Sequence, residues 1–401
     1  MNAFAALRPA DVAAAKNNGT EHTISEILQQ PSSWRALAGS VNAVKGTLLT
    51  FLTASSDGPI VFTGAGSSAY IGDALRPTVA ALSGRTVMAV PTTDLVTHPE
   101  DLLPPGNGLV VSFGRSGNSP ESIAAVERLR QVRPGYRHLA ITCNENGVLA
   151  KAMVAPWGHT FTMPRETHDA SLVMTSSFTT MYLAGLLVGS ATKLAEWQAE
   201  IANLADQTTA FIDRFAAQVA AVKPHTRTRI QYLGSGANAG GVKEMCLKMT
   251  EMSDGALLVR DETFMGLRHG PQVFVKPDSL VIAVLSAAES VRRYETDLLK
   301  ELHTKGQGHH PLIFAPAGVA ANTLPSGATI VPLSTSASAA SSLSRRCPDA
   351  FLLPTAVVGG QMLATVSCMG LGLKPDAPSA SGTISRVVQG VTLYPHQRID
   401  A

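Results

Sequence analysis

Ile60-Val-Phe-Thr-Gly-Ala-Gly-Ser-Ser-Ala69 returns 170 positions later as Ile230-Gln-Tyr-Leu-Gly-Ser-Gly-Ala-Asn-Ala239. Each copy reads as an apolar strand, a Gly-x-Gly turn and the start of a helix. The echo continues downstream. Gly108-Leu-Val-Val-Ser-Phe113 is answered by Ser279-Leu-Val-Ile-Ala-Val284, and Arg137-His-Leu-Ala-Ile-Thr142 by His310-Pro-Leu-Ile-Phe-Ala315. The same element order, at offsets of 170 to 173 positions, marks an internal duplication. Between these runs lie helical patterns, among them Ser119 to Val132 and Ala288 to Lys305. Fully apolar strands alternating with helices form parallel sheets covered on both faces. The fold class that follows is α/β, with two tandem doubly wound, flavodoxin-like lobes related by duplication.

A length of 401 residues fits two such cores. The expected division is a helical leader over 1–45, a first lobe over 46–200, a second lobe over 201–373 and a tail over 374–401. In the leader a helix is expected to start after Ser25 and to stop near Pro31. An amphipathic connector is expected from Ser190 to Ala220, ending near Pro224. A 45% hydrophobic and 15% charged composition suits large buried cores and excludes a disordered chain. The net charge of +2, without blocks of like charge, gives no footprint for nucleic acid or an anionic membrane.

Cys143, Cys246, Cys347 and Cys368 have neither disulfide-framework nor zinc spacing, so buried thiols in a reducing cytosol are expected. The N-terminus lacks the apolar core of a secretory signal. Ala350 to Leu373 is uncharged and long enough to cross a bilayer. Pro354, Gly359, Gly360 and Gln361 interrupt it, and Ala170 to Thr192 is a comparable stretch in the first half. Both are read as buried helices at a lobe or subunit interface.

Gly64-Ala65-Gly66 lacks the third glycine and the acidic residue of a dinucleotide fingerprint, so a nicotinamide cofactor is not expected. Ligands of such sheets sit beyond the strand ends, where helix N-termini present N–H groups to an anion. Phe113-Gly-Arg-Ser-Gly-Asn-Ser-Pro-Glu-Ser122 combines glycines, hydroxyls and an arginine just before a helix. Alone it could be an ordinary serine cap with turn glycines. Beside Gly66, Ser67 and Ser68 it reads as a phosphate cradle, with Arg115, Ser116 and Ser119 as candidate ligands.

In the second half Glu244, Lys248 and Glu251 recur at i, i+4 and i+7 on one face of an otherwise apolar helix. Such a stripe is either a structural ion-pair array or a tuned acid/base cluster. Glu262-Thr-Phe-Met-Gly-Leu-Arg-His-Gly-Pro271 is a loop in which His269 is a candidate proton shuttle. The other histidines, including the His309-His310 pair, have no metal-ligand spacing. No metal is expected.

Taken together, Gly-x-Gly-Ser-Ser, Gly-Arg-Ser-Gly-Asn-Ser, Lys248-Met-Thr-Glu251 and His269-Gly-Pro271 resemble the sugar isomerase (SIS) superfamily over nearly the whole chain. Ser177-Phe-Thr-Thr-Met181, the Glu262 to Pro271 loop and Arg386-Val-Val-Gln-Gly-Val-Thr-Leu-Tyr-Pro395 resemble its AgaS branch. That branch is named for tagatose-6-phosphate ketose/aldose isomerase and associated with galactosamine-6-phosphate deamination. In the isomerase half of glucosamine-6-phosphate synthase, which belongs to the same superfamily, hydroxyls of one lobe grip phosphate while a glutamate and a lysine of the other handle the sugar.

The resemblance places Ser67 and Ser68 on the first sugar- and phosphate-binding pair and Arg115, Ser116 and Ser119 on the phosphate loop. It places Glu251 on the base that moves a proton between C1 and C2, and Lys248 beside it. His269 falls on the ring-opening histidine that a neighbouring subunit supplies, which implies a homodimer or higher oligomer with shared sites.

One position departs from that pattern: Gln389 stands where the relative has a Schiff-base lysine. Glutamine forms no imine, and Arg386 could orient substrate but not replace an amine nucleophile. With no glutaminase module at the N-terminus, glutamine-dependent amination is not expected. The expected reaction is deamination coupled to isomerisation of an amino-hexose 6-phosphate without metal or organic cofactor. Plain ketose/aldose isomerisation and a non-catalytic sugar-phosphate sensor are the alternatives.

Overall fold

The computed structural model describes residues 2–308, 310–334 and 341–395. His309, which received no role, and the end of the expected tail, 396–401, lie outside the described residues. Among the described residues, ten strands form two sheets. The first contains β1 (Ile60–Thr63), β2 (Val87–Ala89), β3 (Gly108–Gly114), β4 (Tyr136–Thr142) and β5 (Gly158–Thr162), in the order β2-β1-β3-β4-β5. The second contains β6 (Arg229–Leu233), β7 (Leu258–Glu262), β8 (Leu280–Val284), β9 (Leu312–Ala315) and β10 (Thr329–Pro332), in the order β10-β9-β8-β6-β7.

Every strand pair is parallel. Ile60 lies beside Leu109 and Ile230 beside Leu280, so the two lobes share register as well as order. In each sheet the strand order reverses once, between β1 and β3 and between β6 and β8. Those reversals are the switch points where doubly wound sheets bind ligands.

Eight long helices of the described residues surround the sheets: α1 (Gln30–Ala54), α2 (Ser67–Ser83), α3 (Pro120–Val132), α4 (Ser176–Ser190), α5 (Leu194–Val222), α6 (Ala237–Met252), α7 (Glu289–Thr304) and α8 (Leu353–Gly370). A leader helix over Thr23–Leu28 stops just before Pro31 but starts ahead of Ser25, and Pro31 then sits in the first turn of α1, where a residue without an N–H is tolerated because no helical acceptor faces it. Helices α1 and α5 run unbroken across the divisions expected at 45/46 and 200/201. Helix α8 is long and apolar enough to cross a membrane, but 89% of it is buried within the protein.

Helices α2 and α6, one from each lobe, pack directly on each other. A Cβ on Gly240 would lie 2.3 Å from the Ala74 backbone nitrogen and 2.7 Å from its Cβ, so a side chain there would force the helices apart. Helix α4 backs onto α2, with Gly185 against Leu75, and α8 backs onto α6, with Gly360 against Met245. A single apolar core runs through this stack, from Phe62 and Phe113 in one lobe to Met249 and Val358 in the other.

Candidate active site

Both Gly-x-Gly turns have the same geometry. Gly66 has φ 57° and Gly236 φ 58°, left-handed conformations that favour glycine. A Cβ on Gly64 would sit 2.5 Å from the Ser68 carbonyl carbon, and one on Gly234 would sit 2.7 Å from the Asn238 carbonyl oxygen. The turn therefore delivers the chain into α2 and α6 with the backbone pressed against the strand end. In the first lobe it buries the side chains of Ser67 and Ser68 at the α2 N-terminus.

The neighbouring loop is shaped by its own backbone. Asn118 N–H donates to the Ser116 hydroxyl at 3.2 Å, Asn144 Nδ2 donates to the Ser116 carbonyl at 2.8 Å, and Gly117 takes φ 62°. Ser119 is the N-cap of α3, but its side chain does not cap the helix; its hydroxyl instead meets that of Ser122 at 2.7 Å. Two serine-bearing helix starts thus face one space, a cleft of roughly 400 Å³. Gly66, Ser67, Ser68, Arg115, Ser116, Ser119, Lys248, Glu251, Arg386 and Gln389 all line it.

Lys248 and Glu251 reach a first-lobe cleft because α2 and α6 run antiparallel from the Gly240–Ala74 contact. At 1.5 Å per residue, Ser67 lies about 11 Å back along α2 and Lys248 about 12 Å on along α6. Lys248 is buried and sits between two carboxylates. Its ammonium donates to Glu251 and lies 3.5 Å from Glu244. Burial alone would depress the Lys248 pKa, but Glu244 and then Glu251 outweigh it and hold the value above the ordinary range. Burial pushes Glu244 up to about 7 against the opposing pull of Lys248. Glu251 is the only member of the stripe that is partly exposed, at 23% of its side chain, and it faces the cleft. The stripe therefore presents one carboxylate to a ligand, held by a buried ammonium that a second carboxylate keeps charged.

Three expected site residues make other contacts or lie elsewhere. Arg115 is buried, and its guanidinium donates to the carbonyls of Ser171 at 3.1 Å, Val173 at 3.1 Å, Leu172 at 2.9 Å and Arg386 at 3.0 Å. Instead of offering both terminal nitrogens to an anion, it spends them on the cleft wall and the tail. His269 is exposed and is not among the residues lining the cleft. Arg386 lines the cleft but turns its guanidinium onto the Asp169 carbonyl.

The sequence reading missed the 169–177 segment and the length of tail involved. Leu172, Met174 and Thr383 to Val388 also line the cleft. The buried Asp169 carboxylate accepts the Thr175 and Ser177 N–H groups, each at 2.9 Å, and so starts α4. An aspartate shortly before Thr175-Ser-Ser177 was the available signal, since such residues cap helices.

Among the described residues, the second lobe's switch point is furnished differently from the first. By strand register Ser286 occupies the place of Arg115, six residues beyond the paired Leu280 as Arg115 is beyond Leu109. There the chain's own carboxylates take the amides. Ser286 N–H donates to Glu295 at 2.8 Å, Ala287 N–H donates to Asp349 at 2.6 Å, and the Ser286 hydroxyl donates to Asp349 at 2.7 Å.

A SIS domain matches residues 54–191. Over 391 residues the chain is 37% identical to D-galactosamine-6-phosphate deaminase AgaS of Escherichia coli O157:H7, covering 96% of this chain and 98% of that protein. It is 35% identical over 386 residues to the protein of the same name from Shewanella sp. (strain ANA-3), covering 94% and 92%. Its fold superposes on the crystal structure of tagatose-6-phosphate ketose/aldose isomerase from Escherichia coli with TM-score 0.82, 33% identity and coverage of 97% and 99%. Likeness of this extent, over nearly the full length of both chains, makes the chain a member of the AgaS branch of the SIS family.

Proposed function

We propose that the chain deaminates and isomerises an amino-hexose 6-phosphate, galactosamine 6-phosphate being the preferred substrate, to ketose 6-phosphate and ammonia. The observation that carries this reading is the cleft itself: serine-bearing helix starts line one wall, and Glu251, paired to buried Lys248, lines the other. The 46–200 lobe supplies the phosphate cradle through Ser67, Ser68, Ser116 and Ser119, the 201–373 lobe supplies the proton-transfer helix, and the 374–401 tail completes the site with Arg386 and Gln389.

With the ring open and C1 an aldehyde, Glu251 takes the C2 proton and the C1 oxygen is protonated, giving an enolamine. The proton returns to C1, leaving a C2 imine. Water adds to that imine and ammonia departs, so amino-aldose phosphate and water become ketose phosphate and ammonia. No lysine imine is needed, because the nitrogen arrives on the substrate, and Gln389 is compatible with the scheme. His269 is read as the ring-opening group of an adjoining copy in a homodimer or larger assembly. Exposed Met265 and Val273 on its loop are apolar surface suited to a partner. The reaction is placed in the cytoplasm, where buried Cys143, Cys246 and Cys368 remain thiols.

Plain ketose/aldose isomerisation is the second reading, because the solved relative at 33% identity carries that name. A sensor would need the cradle but not the proton-transfer stripe, which counts against it. The discriminating experiment incubates the protein with galactosamine 6-phosphate and glucosamine 6-phosphate in D₂O. Equal ammonia and ketose phosphate, with deuterium at C1, are expected. Glu251→Gln should lose about 10² to 10⁴ in kcat while still binding substrate. Conversion of tagatose 6-phosphate without ammonia from either amino sugar selects the isomerase. Binding without turnover, with Glu251→Gln like the parent, selects the sensor.

A further inference from the structure

Glu26 stands far from the cleft residues in sequence, on a short helix over Thr23–Leu28 in the leader, and it is buried. One of its oxygens accepts the N–H of Ala170 at 2.5 Å and of Ser171 at 3.2 Å; the other accepts the Ser171 hydroxyl. The helix is itself fixed from the other end of the chain. The Asp376 carboxylate accepts Thr23 N–H at 2.7 Å and the Thr23 hydroxyl at 2.8 Å.

The Ala170 N–H belongs to the same peptide unit as the Asp169 carbonyl. A trans peptide is planar, with its N–H and C=O pointing in opposite directions. The Asp169 carbonyl is the group that accepts the Arg386 guanidinium, with Nε at 2.9 Å. One rigid unit therefore joins the Glu26 carboxylate on one side to the Arg386 guanidinium on the other. A carboxylate on the N–H also polarises the carbonyl toward a cation. Beyond Ala170, three successive carbonyls, of Ser171, Leu172 and Val173, hold Arg115, which in turn holds the Arg386 carbonyl.

We propose that Glu26 is a positioning residue for the phosphosugar cleft. It acts through the Asp169–Ala170 peptide unit to hold Arg386, and so lays Thr383 to Gln389 along the cleft. The leader is then part of the site's construction. The effect on substrate rests on the reading of the cleft given above; the effect on the tail does not.

The test uses the full chain and two readouts. Trypsin cleaves after Arg386 only when that guanidinium leaves the Asp169 carbonyl, so cleavage there reports the link without any substrate. Glu26→Ala should be cut at Arg386 about ten-fold faster than the parent. Glu26→Gln keeps a carbonyl acceptor for both amides and should stay within about three-fold of it. With the amino-sugar phosphate, Glu26→Ala should raise KM about ten-fold with a smaller change in kcat, matching loss of uniform binding. Arg386→Met should raise KM similarly, and the double variant should be no worse than either single one, since both break one link. If Glu26→Ala does not fold, Glu26→Asp, one methylene shorter, takes its place. Faster cleavage at Arg386 in a protein that turns over no amino sugar keeps the positioning role and removes the proposed function. Arg386 as protected in the Ala or Asp variant as in the parent, or KM effects that simply multiply in the double variant, overturns the proposal.

Discussion

Lys248→Met removes the charge at the centre of the stripe and keeps an unbranched side chain in its slot. At 3.5 Å and an effective dielectric of roughly 20, the Lys248–Glu244 attraction is about 5 kcal/mol. Removing one partner of a buried pair generally costs about 3 to 5 kcal/mol. Unfolding entropy of about 2.1 cal/mol/K per residue over 401 residues converts this to a Tm drop of about 4 to 6 °C. The drop must depend on pH, and its sign is fixed. Glu244 titrates near 7 in the folded chain against 4.5 for the free side chain, so its stability contribution is full below the lower value and is lost as pH rises toward the higher. Lys248 restrains that rise, and removing it extends the loss to higher pH. Calorimetric scans of parent and variant should therefore show a deficit that widens between about pH 6 and about pH 8. An unchanged Tm near pH 8, or a deficit larger near pH 6, would refute the picture of a desolvated ammonium held between two carboxylates. Loss of activity alone would not decide it, because Glu251 also loses its hydrogen-bond donor.

If His269 serves the cleft of an adjoining copy, mixing inactive Glu251→Gln and His269→Ala chains should restore part of the activity, since some hybrid sites then carry both groups. Proven hybrids without rescue would place both residues on one chain. Because Glu295 and Asp349 occupy the second switch point, calorimetric titration with inorganic phosphate should saturate at one equivalent per chain. A second equivalent at comparable affinity would show that those carboxylates can be displaced.

The fold was legible because its signals are local and doubled. Gly64, Gly66, Gly234 and Gly236 are demanded by backbone geometry within a few residues, and strands β1, β3, β8 and β9 announce themselves by nearly continuous apolarity. The Glu244, Lys248, Glu251 stripe was legible for the same reason, since helical periodicity alone puts the three on one face. What could not be read depended on contacts distant in the chain. A cation in a Gly/Ser loop has the pattern of a phosphate ligand whether it faces the cleft or turns inward, and only carbonyls 56 to 58 positions away decide for Arg115. Glu26 carries no pattern, because its partners lie 144 and 145 positions on.

Duplication by itself would give two equivalent clefts, one at each end of the antiparallel α2/α6 pair, and the side chains show why only one is equipped. At one end the serines that open α2, Ser67 and Ser68, meet Lys248 and Glu251 near the close of α6. At the other end, the positions 170 residues from those serines are Ala237 and Asn238, while the positions 170 residues before Glu244, Lys248 and Glu251 are Ala74, Thr78 and Ala81. Ala74 is the residue on which Gly240 packs, where a glutamate would part the helices. The contact that brings the lobes close enough to share a site thus forbids the second copy of the stripe. Without a lysine at that end, a buried carboxylate would have no cation partner. The helix-start amides left there are satisfied by Glu295 and Asp349 from within the lobe, so a twofold architecture carries one lysine-paired carboxylate facing one set of serine-bearing helix starts.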